Sequence, residues 1–126
     1  MSEASNYVQR YFEEHLKQYL HQDLLPEARG ITCCFAYHLV NVPETNWVVW
    51  MEDGIFSHVV RGNEPAQCTF VCDSQTFQDI CSGLLPPQDA FFAKEVEIEG
   101  DLELGLMLGV LLAPFFLHHS YRPAVV

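Results

Sequence analysis

Between Ala66 and Leu104 the hydrophobic period of the chain changes three times, and any fold must house the elements in that order. Cys68, Phe70 and Cys72 alternate with polar or smaller neighbours and share one face of a predicted strand over Gln67–Cys72. Asp73 or Ser74 then caps a short helix that presents Phe77, Ile80 and Cys81 before Gly83 stops it. Pro86-Pro87 opens a second short helix with Ala90 and Phe91 on one side. From Glu95 to Glu99 acidic and apolar residues alternate, which predicts a half-buried strand with Val96 and Ile98 inward. Gly100 ends that strand, and Asp101 caps a final helix.

That last segment, Leu102 to Leu117, is apolar except at Glu103, Gly105, Gly109 and Pro114. It is shorter than the ~20 residues a membrane span needs, and Glu103 and Pro114 restrict it further. The Gly105 to Gly109 spacing matches the small-residue pattern of packed membrane helices, which alone is a weak signal. A buried or cavity-covering helix is the better reading. An apolar surface this wide is expected to bury more than one face, against a sheet, a ligand tail or a second subunit.

The first half supplies the sheet. Tyr7, Val8, Tyr11, Phe12, Leu16, Tyr19 and Leu20 recur at helical spacing, predicting an amphipathic helix from about Ser5, its N-cap, to Leu24, with Pro26 and Gly30 marking the exit. Ile31–Leu39, Trp47–Glu52 and Ile55–Arg61 are runs of β-favouring residues. Asp53-Gly54 between the last two predicts a tight hairpin, because that turn needs positive φ at both central positions. A loop containing Pro43 and a turn at Gly62–Pro65 complete a predicted meander of four antiparallel strands. Phe70 and Trp50 are read as sheet packing.

Charge and cysteine content remove several function classes. A net charge of −11, with six basic residues scattered from Arg10 to Arg122, excludes broad contact with nucleic acid and disfavours adsorption to anionic membranes. Membrane contact is expected to be transient at most. Five cysteines without paired two-residue gaps read as small buried groups, and no metal or cofactor is expected. His15 and His21 stand six apart without a carboxylate partner, and His118-His119 lies in a predicted tail. The chain has no nucleophile elbow, phosphate loop or paired-histidine zinc motif, and its acidic groups sit on solvated faces, so no catalytic residue is assigned. Met1 to Asn6 lacks a signal pattern and Ala124-Val125-Val126 is not a peroxisomal address, which leaves a cytoplasmic protein as the expectation. At 126 residues the whole chain, 1–126, is read as one domain.

The order Cys68-Thr69-Phe70, Asp73-Ser74, Phe77, Gly83, Pro87-Gln88-Asp89-Ala90-Phe91-Phe92, Ile98-Glu99-Gly100-Asp101 and Leu104 resembles the sterol carrier protein 2 family, most closely over Asp53 to Leu112. The resemblance implies an α+β fold: a five-stranded, mostly antiparallel sheet covered on one face by helices, with an apolar tunnel between the layers. It also implies a non-enzymatic protein that binds, presents or transfers a fatty acyl, sterol-like or isoprenoid lipid. Carried over, Phe77, Ile80, Phe91, Phe92 and Ile98 become cavity wall, Leu104, Leu106, Met107 and Val110 its helical cover, and Gln88 the polar group facing the ligand.

Two alternatives accompany that reading. The segment from Asp89 to Leu106 is also similar to ubiquinone-biosynthesis accessory proteins containing this domain, in which a lipid intermediate is shown to partner enzymes and the acidic surface would be the docking face. In the other, the same side chains form a filled core and the last helix pairs with a second subunit, making a homodimer.

Overall fold

The computed structural model describes residues 3–42 and 46–123. Pro43 of the predicted loop and the Ala124-Val125-Val126 terminus lie outside the described residues. A first helix, α1 (Glu3–Arg10), runs on through a π turn (Tyr11–His15) and a 3-10 turn (Leu16–Tyr19). Five strands follow with two helices between the last pair: β1 (Cys33–Leu39), β2 (Asn46–Glu52), β3 (Ile55–Arg61), β4 (Cys68–Cys72), α2 (Ser74–Cys81), α3 (Pro87–Phe92) and β5 (Glu97–Gly100). The closing helix is α4 (Leu102–His118). Ser5, expected as a cap, falls inside α1, and the helical run ends where Leu20 turns extended (ψ 143°), short of the expected Leu24.

The sheet order is β3-β2-β1-β4-β5, with β1 in the middle. Three pairings are antiparallel, and β1 with β4 is parallel. The expected four-strand meander is therefore wrong at its last step. Instead of pairing with β3, the chain after Arg61 crosses the sheet to the far side of β1. Its route is marked by hydrogen bonds: Gly62 N–H donates to Asn46 O (2.9 Å), Asn46 Nδ2 to Asn63 Oδ1, Cys34 Sγ to Pro65 O (3.3 Å) and Gln67 N–H to Cys34 O (2.9 Å). Asn46 and Cys34 alternate with the inward-facing Trp47 and Phe35, so this connection crosses the sheet face opposite the helices. Ala36 and Val48, on that same face, are buried.

The hairpin forms at the predicted pair. Asp53 (φ 50°) and Gly54 (φ 76°) both adopt the left-handed conformation that a two-residue turn between β2 and β3 requires. Both predicted caps also form, Asp73 accepting from Thr76 N–H at 2.8 Å and Asp101 from Leu104 N–H at 3.0 Å. The last strand is shorter than expected: Val96 is buried but lies in the bend before β5.

All helices cover the sheet face carrying Phe35, Tyr37, Trp47, Val49 and Phe70. Phe12 is fully buried there, stacked on Trp47 (ring centroids 4.9 Å) and Phe77 (5.5 Å). α4 buries Gly105, Leu108, Gly109, Leu112, Phe115 and Phe116 along one stripe. Its other side remains exposed at Leu102, Leu106, Met107, Val110 and Leu117, so within the monomer it does not bury the two faces expected of so apolar a helix. No helix among the described residues is long and apolar enough to cross a membrane.

Tyr121 and Arg122, which follow α4, are tied down rather than forming a tail. Tyr121 N–H donates to Cys81 O (2.8 Å), Arg122 Nε to Ser82 O (2.8 Å), and the Tyr7 hydroxyl to Tyr121 O (2.9 Å). His15 joins this closure: it is buried, and its Nε2 donates to His119 O at 2.7 Å. Burial lowers its pKa from the usual 6.5, with the neighbouring His119 charge acting the same way against the hydrogen bond. In the pH interval from 6.5 down to the lowered folded value, the unfolded chain binds the proton more readily. His15 therefore supports folding fully above 6.5 and less as the pH falls below it. A His15→Gln variant should show a shallower loss of Tm than the parent between neutral pH and about pH 5. Parallel Tm profiles would show that this imidazole is not a source of acid sensitivity.

Candidate functional site

The candidate site is a cavity of about 260 Å³ between the sheet and the α2, α3 and α4 helices. Its floor is the inward face of the sheet, where Tyr37 of β1, Phe70 and Cys72 of β4 and Ile98 of β5 stand side by side. The capped α2 helix contributes Phe77, Ile80 and Cys81. Pro87 at the start of α3 directs Gln88, Phe91 and Phe92 along another wall, and Val96 fills the bend before β5. α4 closes the remaining side with Gly105, Leu106, Gly109, Val110, Leu112 and Phe116.

The two glycines have separate roles. A Cβ on Gly105 would lie 2.5 Å from Ile98 Cγ2, so its absence lets α4 approach β5 closely. A Cβ on Gly109 would meet only Pro87 Cβ, at 3.7 Å. Both face the cavity, which explains the small-residue spacing noted in the sequence without a membrane partner.

Among the described residues, no acid, base or histidine lines this cavity. Its titratable groups stay neutral: burial, aided by Asp73, pushes the Cys72 thiol up to about 12. Burial raises Cys81 well above its usual value despite a hydrogen bond from Tyr11, and raises Tyr37 likewise. A buried neutral thiol is a poor nucleophile. The wall thus offers dispersion contacts and a dry surface. The side-chain amide of Gln88, exposed at the mouth, can donate or accept a hydrogen bond.

Of the ten residues proposed from the sequence, Phe77, Ile80, Gln88, Phe91, Phe92, Ile98, Leu106 and Val110 line this one cavity. Leu104 and Met107 do not. Leu104 packs against the core beside the cap, and Met107 points outward, because in a helix of 3.6 residues per turn neither lies on the stripe of 105, 106, 109 and 110. Phe70, read as sheet packing, is instead part of the floor. Sequence reasoning also missed Tyr37, Cys72, Cys81, Leu112 and Phe116 as wall. Cys72 and Cys81 carried a signal, Cys72 through its alternation with Phe70 on one strand face and Cys81 through its place beside Phe77 and Ile80 on the apolar side of a helix. A second void of about 10 Å³ lies deeper, among Phe12, Leu16, Phe35, Phe56, Phe115 and their neighbours.

Residues 12–113, which include nearly all of the cavity wall, match the SCP-2 sterol transfer family. The chain belongs to that family. Human sterol carrier protein 2 is 30% identical over 77 residues, a match covering 59% of this chain and 14% of that protein, so the chain spans a small fraction of that relative's length. Two SCP-2 structures from Aedes aegypti share the fold. The palmitated SCP2L2 superimposes with a TM-score of 0.63 at 17% identity, over 97% of this chain and 100% of its own. The SCP-2 complex with palmitate does so with a TM-score of 0.60 at 21% identity, over 95% and 100%.

Proposed function

We propose that this SCP-2 family chain binds one hydrophobic ligand in the cavity, a fatty acyl chain or a lipid of similar shape, and presents or transfers it without chemical change. The observation that carries the reading is an uncharged, almost wholly apolar cavity of about 260 Å³ that opens beside a single amide, Gln88. A filled interaction core would leave no such void, since interiors pack with few gaps larger than a water molecule. The capture of palmitate by two structures of this fold supports the same ligand class. Each methylene moved from water to the wall contributes roughly 0.8 kcal/mol, so about ten would outweigh the lower range of association costs. Gln88 would hold the polar end, and Phe77, Ile80, Phe91 and Ile98 the chain.

The surroundings of the mouth favour a second step, delivery to a protein. Phe92 (77% exposed) and Val110 (56%) both line the cavity and face solvent. Asp89, Glu95, Glu97, Glu99, Asp101 and Glu103 are all exposed in the same α3-β5-α4 region, where Lys94 is the one lysine or arginine among the described residues. This acidic neighbourhood discourages anionic membranes and suits a partner whose basic residues dock beside the apolar opening. This corresponds to an accessory factor in lipid biosynthesis.

The direct test is native mass spectrometry of the purified protein, alone and with palmitate. The expected result is a one-to-one lipid complex, co-purified or formed on addition. A clean apo-protein that also fails to take up palmitate and isoprenoid alcohols would overturn the reading.

A further inference from the structure

The inner end of the main cavity is closed by a thin wall. Tyr37, Leu112 and Phe116 line the 260 Å³ cavity on one side and the 10 Å³ void on the other. The small void is lined by apolar and aromatic side chains and has about the room of one water molecule, and such spaces stay dry. Its far wall includes Phe12 and Leu16 from the first helical run and Phe56 from β3, so the void extends the cavity toward the other end of the sheet.

The three members of the partition are held differently. Tyr37 is surrounded by the rings of Phe12, Phe35, Phe70 and Phe77, all within 6 Å centroid to centroid. Phe116 has one ring contact among the described residues, with Phe115 at 6.0 Å. Leu112 and Phe116 are one turn apart on the buried stripe of α4, so the two are neighbours on one helix and neither belongs to the sheet.

We infer that Leu112 and Phe116 set the length of the alkyl chain that this cavity takes, with the void behind them as a reserve that opens when they turn. The inference rests on the cavity being the ligand site. The ligand it describes is a single unbranched chain, polar end at Gln88 and methyl end against the partition. A volume near the bottom of the usual ligand-pocket range, ~300 Å³, fits one chain better than a fused-ring body.

The experiment is calorimetric titration with octanoate, decanoate, laurate, myristate, palmitate and stearate. Affinity for the parent protein should rise about fourfold per added methylene until the chain reaches the partition, then level off. Leu112→Ala and Phe116→Leu should shift the break to a longer acid, and Leu112→Phe to a shorter one. Circular dichroism identifies any variant that fails to fold, and the milder Phe116→Leu and the opposite-sign Leu112→Phe then decide. A break at the same acid in every folded variant would overturn the partition while leaving the ligand site intact. A parent protein that binds none of the six acids would overturn the ligand site, and the partition with it.

Discussion

Leu106→Glu is expected to lower fatty-acid affinity by at least about tenfold, while Met107→Glu leaves it within about twofold. The two side chains are neighbours on α4, both apolar and both 40% exposed, so exposure and hydropathy alone would rank them equally. They differ in where they point. Leu106 lines the cavity beside Gly105 and Val110, whereas Met107 does not touch it. A carboxylate at position 106 would stand beside the bound chain, where an unpaired charge loses hydration without a compensating partner. A loss of about 1.4 kcal/mol is already tenfold, and a half-exposed mouth keeps the cost near that scale by leaving the carboxylate a path to water. Glutamate is a good helix former, so neither variant should disturb α4 beyond a few tenths of a kcal/mol from repulsion with Glu103. Palmitate titrations of both proteins, with Tm as a folding control, make the comparison. Equal losses would mean that the outer face of α4, not the cavity, holds the lipid.

That pair of neighbours also shows where sequence reasoning stops. Legible features were those decided locally. Asp53-Gly54 forms the hairpin because the required positive φ is a property of the dipeptide, and Asp73 and Asp101 cap because each stands immediately before a helix. Most of the proposed wall was brought together for a similar reason, since α2, α3 and β5 are short elements with one apolar side each. The orientation of α4 was different: nearly every position is apolar, so no stripe distinguishes Leu106 from Met107 until the close approach of Gly105 to Ile98 sets its rotation. The place of β4 was equally invisible. Adjacent strands usually pair, whereas β4 forms a parallel ladder on the far side of β1, reached by a connection that Cys34 anchors through long-range bonds with Pro65 and Gln67. That crossover puts Phe70 and Cys72 beside Tyr37 and so builds the cavity floor.

Gly100→Ala should destabilise the protein by roughly 2–5 kcal/mol, the larger part from contact with neighbouring backbone. Gly100 sits at φ +87°, where a Cβ costs about 1–2 kcal/mol in conformational strain alone. Its added Cβ would also lie 2.6 Å from Gln67 O and 3.2 Å from Cys68 Cα. Those atoms cannot rotate away, and Gln67 O already accepts from Asp101 N–H at 2.9 Å in the turn that leads β5 into α4. Gly30 provides the control, because it has the same φ of +87° and a Cβ there would meet nothing within 4 Å. Gly30→Ala therefore carries the strain without the collision, and urea unfolding should show Gly100→Ala to be worse by about 1–3 kcal/mol. Equal costs would mean that β5 is free to move away from β4, and then Ile98 would not be a fixed wall. A larger cost at Gly100 fixes β5, and with it Ile98 and the start of α4, so that opening of the cavity must come from side chains or from the far half of that helix.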